Sequence, residues 1–215
     1  MSPRDRILSA VRSGLGEPRK NPDSIAAEAD ALLAAPDEIR PRLVAPTLVE
    51  AFAIRATALG TTLDRIADFA DLPAAVGRYL AAHGLAADVA LQPASVLAGL
   101  DWQDVRPHAS LAADEAVAVG LARWGIAEGG SLVIHSAPDT PILLAFLPLH
   151  HILVLSARNL LAHLEDYAAV AAETDAPRNA VLITGPSGTT DIEGSYVRGA
   201  HGPGFLHVIL VENAP

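Results

Sequence analysis

The sequence predicts an α/β fold: a mixed, mostly parallel sheet flanked by helices, with an N-terminal helical arm. Three observations predict it. From Thr47 onward helical and strand-like patterns alternate, as crossover connections between parallel strands require. Residues 151–155 and 207–211 are each a histidine followed by four apolar residues, the pattern of strands buried on both faces. The length, 215 residues, suits one full hydrophobic core and is short for two.

The first helix starts at a clear signal. Ser2 can cap it, Pro3 suits the first helical position, and Asp5 stands where a capping box needs an acid. Ile7, Leu8, Val11 and Leu15 form one apolar stripe, and Gly14 and Gly16 end the helix. Residues 16–23 read as a polar linker, and 24–35 as a short alanine-rich helix. Residues 1–45 are therefore expected to form the arm and 46–215 the α/β domain. Thr47 and Glu50 make a second capping box, ahead of a stripe of Leu48, Phe52, Ala56 and Leu59. A strand over 61–66, a helix over 72–83 and a strand over 88–91 follow. Residues 92–112 show no regular pattern. Residues 116–124 and 131–135 read as an antiparallel hairpin inside the mixed sheet, turning at Gly129 and Gly130. Asn159 is placed to cap a helix with the stripe Leu160, Leu161, Leu164, Ala168 and Ala171. Residues 180–183 read as another buried strand.

Composition excludes several classes of function. Apolar residues make up 51% of the chain, much of it alanine. No run approaches the ~20 apolar residues of a membrane helix, and the N-terminus lacks the apolar segment of a signal peptide. No membrane span and a cytoplasmic location are expected. The net charge is −10, from 15 basic and 25 acidic residues, and Lys20 is the only lysine. Nucleic-acid binding is not expected, because its affinity is mostly electrostatic. There is no cysteine. That removes disulfides, thiolate nucleophiles, zinc–thiolate sites and iron–sulfur ligation by this chain. A redox role would place the redox centre on a partner or a bound cofactor. The histidines show no metal-ligand spacing, so neither a metal nor a cofactor is expected.

Three stretches could carry chemistry. Residues 180–184 run into Gly185-Pro-Ser187-Gly188-Thr189-Thr190-Asp191-Ile-Glu193. A buried strand thus runs straight into a glycine-rich turn, and in parallel sheets ligands bind beyond the carboxyl ends of strands. Gly185 and Gly188 let backbone N–H groups approach an anion, and Ser187, Thr189 and Thr190 add donors. Asp191 and Glu193 can orient a hydroxyl or act as base. An ordinary helix N-cap has the same residue types. In the second stretch Glu128, next to Gly129, Gly130 and Ser131, can be a base or nucleophile, or part of a solvated turn. In the third, His201 lies among Gly199, Gly202 and Gly204, as an acid–base group, an anion ligand or a loop histidine.

Three blocks resemble the LUD-domain family. Residues 125–133, Gly-Ile-Ala-Glu-Gly-Gly-Ser-Leu-Val, are similar to its Ala-(Glu/Asp)-Thr-Gly-Thr-Leu segment. Residues 147–154, Leu-Pro-Leu-His-His-Ile-Leu-Val, are similar to its Leu-Pro-x-x-His-Ile-x-Val segment. Residues 183–193 together with 199–203 form the third and most specific block. Departures occur at Gly188, where the family often has arginine, and at Gly129 and Ser131, which replace threonines. The resemblance, of the lactate-utilisation protein C type, implies a fold like that of the NagB/RpiA/CoA-transferase superfamily. It implies a component of bacterial L-lactate oxidation to pyruvate, working with iron–sulfur partner proteins and binding a small anionic ligand. The alternative within that superfamily is a stand-alone enzyme acting on a phosphorylated or acyl substrate. There Glu128, Asp191 and His201 would be catalytic. Gly129, Ser131, Gly185, Ser187, Gly188, Thr189, Thr190 and Glu193 would bind ligand.

Overall fold

The computed structural model describes residues 2–16, 20–35, 40–190 and 194–213. The chain divides into two units, residues 1–41 and 42–215. In the first, helix α1 (Pro3–Leu15) begins with the expected capping box: the Ser2 hydroxyl accepts from Asp5 N–H, and the Asp5 carboxylate accepts from Ser2 N–H at 3.0 Å. Helix α2 (Pro22–Ala34) starts two residues ahead of the predicted position and is capped by Asn21. Neither helix contains a buried residue.

The second unit opens with α3 (Leu48–Ala58), whose Thr47–Glu50 box forms as expected. Then come β1 (Thr62–Ile66), α4 (Leu72–Ala82), β2 (Asp88–Leu91), the single turn α5 (Ser95–Ala98), β3 (Arg106–His108) and β4 (Val117–Leu121). They are followed by β5 (Trp124–Ile126), β6 (Ser131–His135), β7 (His150–Ser156), β8 (Leu160–Leu161), α6 (Leu164–Ala172) and β9 (Ala180–Ile183). The chain ends with β10 (Gly188–Thr190), β11 (Tyr196–Arg198) and β12 (Phe205–Val211).

Six strands form one sheet in the order β1-β12-β7-β4-β2-β3, and every pair in it is parallel. The apolar runs β7 and β12 lie at its centre, as strands buried on both faces must. On one face α4 buries Leu72, Val76 and Leu80 against Val119, Ile152 and Ile209. On the other, Phe52 and Ala56 of α3 meet Leu153, Leu155 and Leu210, together with Leu132 and Ile134 of a second sheet. That second sheet has the order β8-β5-β6-β9; its β5–β6 and β6–β9 pairs are antiparallel and its β5–β8 pair is parallel.

Four expectations are corrected. The run 116–124 is two strands: β4 belongs to the parallel sheet and β5 to the second one. The switch happens at Ala122 and Arg123, whose N–H groups donate to Val154 and Val133 carbonyls in different sheets. The expected hairpin is therefore β5–β6, and it lies outside the main sheet. Asn159 ends a short 3-10 turn, and Leu160–Leu161 is strand β8. The helix starts later, with His163 as cap and Asp166 closing its box. Residues 180–183 form an edge strand with Leu182 43% exposed, not a strand buried on both faces. Residues 188–190 are neither a helix start nor a loop; they form strand β10.

Candidate functional site

Two concave sites lie at opposite ends of the parallel strands. The first is at the amino end of β7 and β12. Gly185, Ser187, His201, Gly202 and Pro203 line a cleft of about 190 Å³ with Ala145, Phe146 and Leu206. The structure therefore brings together two of the predicted stretches, those of Gly185 and His201. Among the amides after Thr184, that of Ser187 is turned inward, and residues 188–190 are in a β-ladder. Ser187 N–H donates to Pro203 carbonyl at 2.8 Å, and Gly199 N–H donates to Ser187 carbonyl at 3.0 Å. Gly188, Thr189 and Thr190 pair with Arg198, Val197 and Tyr196. Gly188 also lies against the exposed Tyr196 ring, which a side chain there would have to displace. Asp191 and Glu193 lie outside the described residues.

The polar groups of the Glu128 stretch bond to neighbouring elements. Glu128 N–H donates to Ala162 carbonyl. Its Oε1 accepts from Leu164 N–H at 2.7 Å, so the carboxylate sits at the positive end of α6. Ser131 Oγ shares a hydrogen bond of 2.8 Å with Thr184 Oγ1, tying β6 to the end of β9. Gly129 and Gly130 carry the turn between β5 and β6, with Gly130 buried against α3. Replacing Glu128 with alanine is expected to cost about 1 kcal/mol through the lost cap. A thermal melt of E128A checks this; a loss too small to detect would remove the capping role.

The second site was not anticipated from sequence. Along the sheet, β2 connects outward to β3, while β4 connects in the opposite direction to β7. The topological switch point therefore falls between β2 and β4, and their carboxyl ends diverge around a crevice. Its volume is about 320 Å³, and Gln92, Arg123, His135, Asp139, Thr140 and Asn159 line it. Gln92 is 4% exposed and fully engaged: its Oε1 accepts from Leu121 N–H, and its Nε2 donates to Thr140 Oγ1 at 2.9 Å. Thr140 Oγ1 in turn donates to Asp139 Oδ1 at 3.1 Å. This chain of bonds runs from the buried strand end to a carboxylate on the rim.

Arg123 stands on the same wall. Its guanidinium lies 4.7 Å from the centre of the Trp124 ring and makes no ion pair among the described residues. Trp124 meets His135 edge-on at 5.1 Å. His135 Nε2 shares a 2.9 Å hydrogen bond with Tyr167 Oη, while Nδ1 has no partner among the described residues. Burial, and secondarily the Arg123 charge, hold His135 below the usual imidazole pKa, so it is neutral at pH 7. No group of three or more His, Asp or Glu among the described residues is arranged to hold a metal. No helix among them is long and apolar enough to cross a membrane.

Comparison with known proteins gives the family. A model of the LUD domain matches residues 103–211. The lactate utilization protein C of Deinococcus radiodurans is 32% identical over 187 residues, which cover 80% of this chain and 88% of that protein. The protein of the same name from Anoxybacillus flavithermus is 29% identical over 105 residues, 47% of each chain. In structure, a DUF162 family protein from Deinococcus radiodurans superimposes with a TM-score of 0.56 at 23% identity, covering 76% of this chain and 96% of that one. That last likeness concerns the fold alone. The matched span runs from β3 to the end of β12; it contains the His201 cleft and the crevice lining except Gln92, which follows β2 outside it. The chain belongs to the LUD-domain family, in the company of proteins named lactate utilization protein C.

Proposed function

We propose that the protein is a component of bacterial L-lactate utilisation that binds a small anion and leaves electron transfer to iron–sulfur partner proteins. The observation that carries this reading is the likeness to a lactate utilization protein C along 80% of the chain. The composition agrees with it. Lactate oxidation to pyruvate releases two electrons, and a chain without cysteine offers no thiolate for an iron–sulfur cluster. Partner proteins then hold the clusters, and the subunit works with them in the cytoplasm. The rival reading, a stand-alone isomerase or acyl transferase, needs Glu128 as base or nucleophile. That carboxylate instead caps α6.

Deletion of the gene in its host is expected to abolish growth on L-lactate as sole carbon source while sparing growth on pyruvate. Re-expression of the intact chain should restore it. Undiminished growth of the deletion strain on L-lactate would remove the reading.

A further inference from the structure

We infer that the crevice beyond the carboxyl ends of β2 and β4 is a binding site for a short hydroxy acid, its carboxylate on Arg123 and its hydroxyl on Asp139. The choice of hydroxy acid rests on the lactate reading; the site itself rests on geometry. Open parallel sheets hold ligands at the switch point, and here that position is a crevice of about 320 Å³.

The lining chemistry is bipolar. Arg123 is the cation, without a carboxylate partner among the described residues. Its stacking on Trp124 holds the guanidinium in place, which lowers the entropy cost of binding an anion. Asp139 is an acceptor fixed from behind by Thr140 and Gln92. A carboxylate group accepts hydrogen bonds and cannot donate them when ionised. Its ligand partner must therefore be a donor, which a hydroxyl is and a keto oxygen is not. A dianionic phosphate would face the Asp139 charge with a single arginine to offset it. His135, 5% exposed, also lines the crevice.

An α-amino acid also matches a cation–carboxylate pair, so the test must separate it. Calorimetry on the full chain should show saturable binding of L-lactate, with L-alanine and inorganic phosphate weaker. R123A should weaken L-lactate at least about tenfold, and D139N should weaken L-lactate while leaving pyruvate unchanged. Both side chains are exposed, so neither change threatens the fold. Arg106, paired with Asp88 at the far end of β2 and β3, supplies a control: R106A should bind as the parent does. A second readout is the His135 ring in an NMR titration. An anion on Arg123 cancels one of the two influences that depress its pKa, so L-lactate should raise it.

No L-lactate binding, parent-like binding by R123A, or tighter binding of L-alanine or phosphate would each overturn the site. The two proposals fail separately. Lost growth on lactate with no binding removes the site and keeps the role. Binding to the crevice with a dispensable gene keeps the site and removes the role.

Discussion

Acidification from pH 7 to pH 4 is expected to remove roughly 6 kcal/mol of folding stability, a large share of the roughly 5–15 kcal/mol typical of a domain. The cause is two histidines folded in their neutral form. Burial holds His151 down at a pKa of about 4, and it holds His207 down to about 4, with the nearby His83 lowering it further and Asp64 opposing. His207 is fixed by a 2.8 Å hydrogen bond between Nδ1 and Thr62 Oγ1 and by stacking on Tyr79 at 4.4 Å. His150 shifts the same way through burial, and it shares a 2.9 Å bond with Tyr79 Oη. Tyr79 itself is pushed up to about 12 by burial and stays protonated.

The sign follows from proton counting. Above pH 6.5 these imidazoles are neutral in both states, and their burial has no proton cost. Below 6.5 the unfolded chain takes up protons that the folded chain refuses, so stability falls until the folded pKa near 4 is reached. Each histidine then accounts for about 3 kcal/mol by pH 4. Near pH 5 the two together give a slope of about 2.7 kcal/mol per pH unit. Urea titrations at several pH values measure that slope. H207N should roughly halve it, and a flat profile between pH 7 and pH 5 would show that the imidazoles are not held neutral.

What the sequence disclosed follows how local each signal is. The capping boxes at Ser2–Asp5 and Thr47–Glu50 involve residues three apart, and both appear as expected. The four-residue apolar stretches 152–155 of β7 and 208–211 of β12 report burial on both faces, and both strands are central. Residues 180–183 carry the same apolar signature but sit at an edge, because four apolar residues do not encode which sheet they join. The division at Ala122–Arg123 depends on carbonyls of Val154 and Val133, distant in sequence from the residues they receive, and nothing within the run announces it.

The candidate site shows the same limit. The switch-point rule applies to strands of the parallel sheet, and β9 is antiparallel in the other one. Applied to β2 and β4, the rule selects Gln92 and Arg123. Each is an isolated polar residue just after an apolar strand, which was the signal available in the sequence. Their convergence with His135, Asp139 and Thr140 needs the register of two sheets, and no spacing within the chain supplies that. The Gly185–Thr190 stretch was conspicuous by composition. Its glycines and hydroxyls serve the β10–β11 hairpin and the cleft beside His201.

Gly130 is where a single methyl group should do the most structural damage. A Cβ placed there would lie 2.4 Å from Ala56 N and 2.8 Å from both Ala56 Cα and Arg55 C. Those atoms are backbone of α3 and cannot rotate aside. Moving them shifts Phe52 and Ala56, both wholly buried between the two sheets. The residue also has φ +64°, a conformation that costs an L-residue about 1–2 kcal/mol. Overpacking adds roughly 1–3 kcal/mol, so G130A should lose about 3 kcal/mol and melt roughly 6–12 °C lower. Gly84 separates the two contributions. It has φ +62°, and no atom lies within 4 Å of where its methyl group would stand, so G84A should show the conformational cost alone. A larger loss in G130A than in G84A measures how tightly the β5–β6 turn is pressed onto α3. Equal losses would mean that α3 yields to the methyl, and the seating of the second sheet on this helix would then be loose.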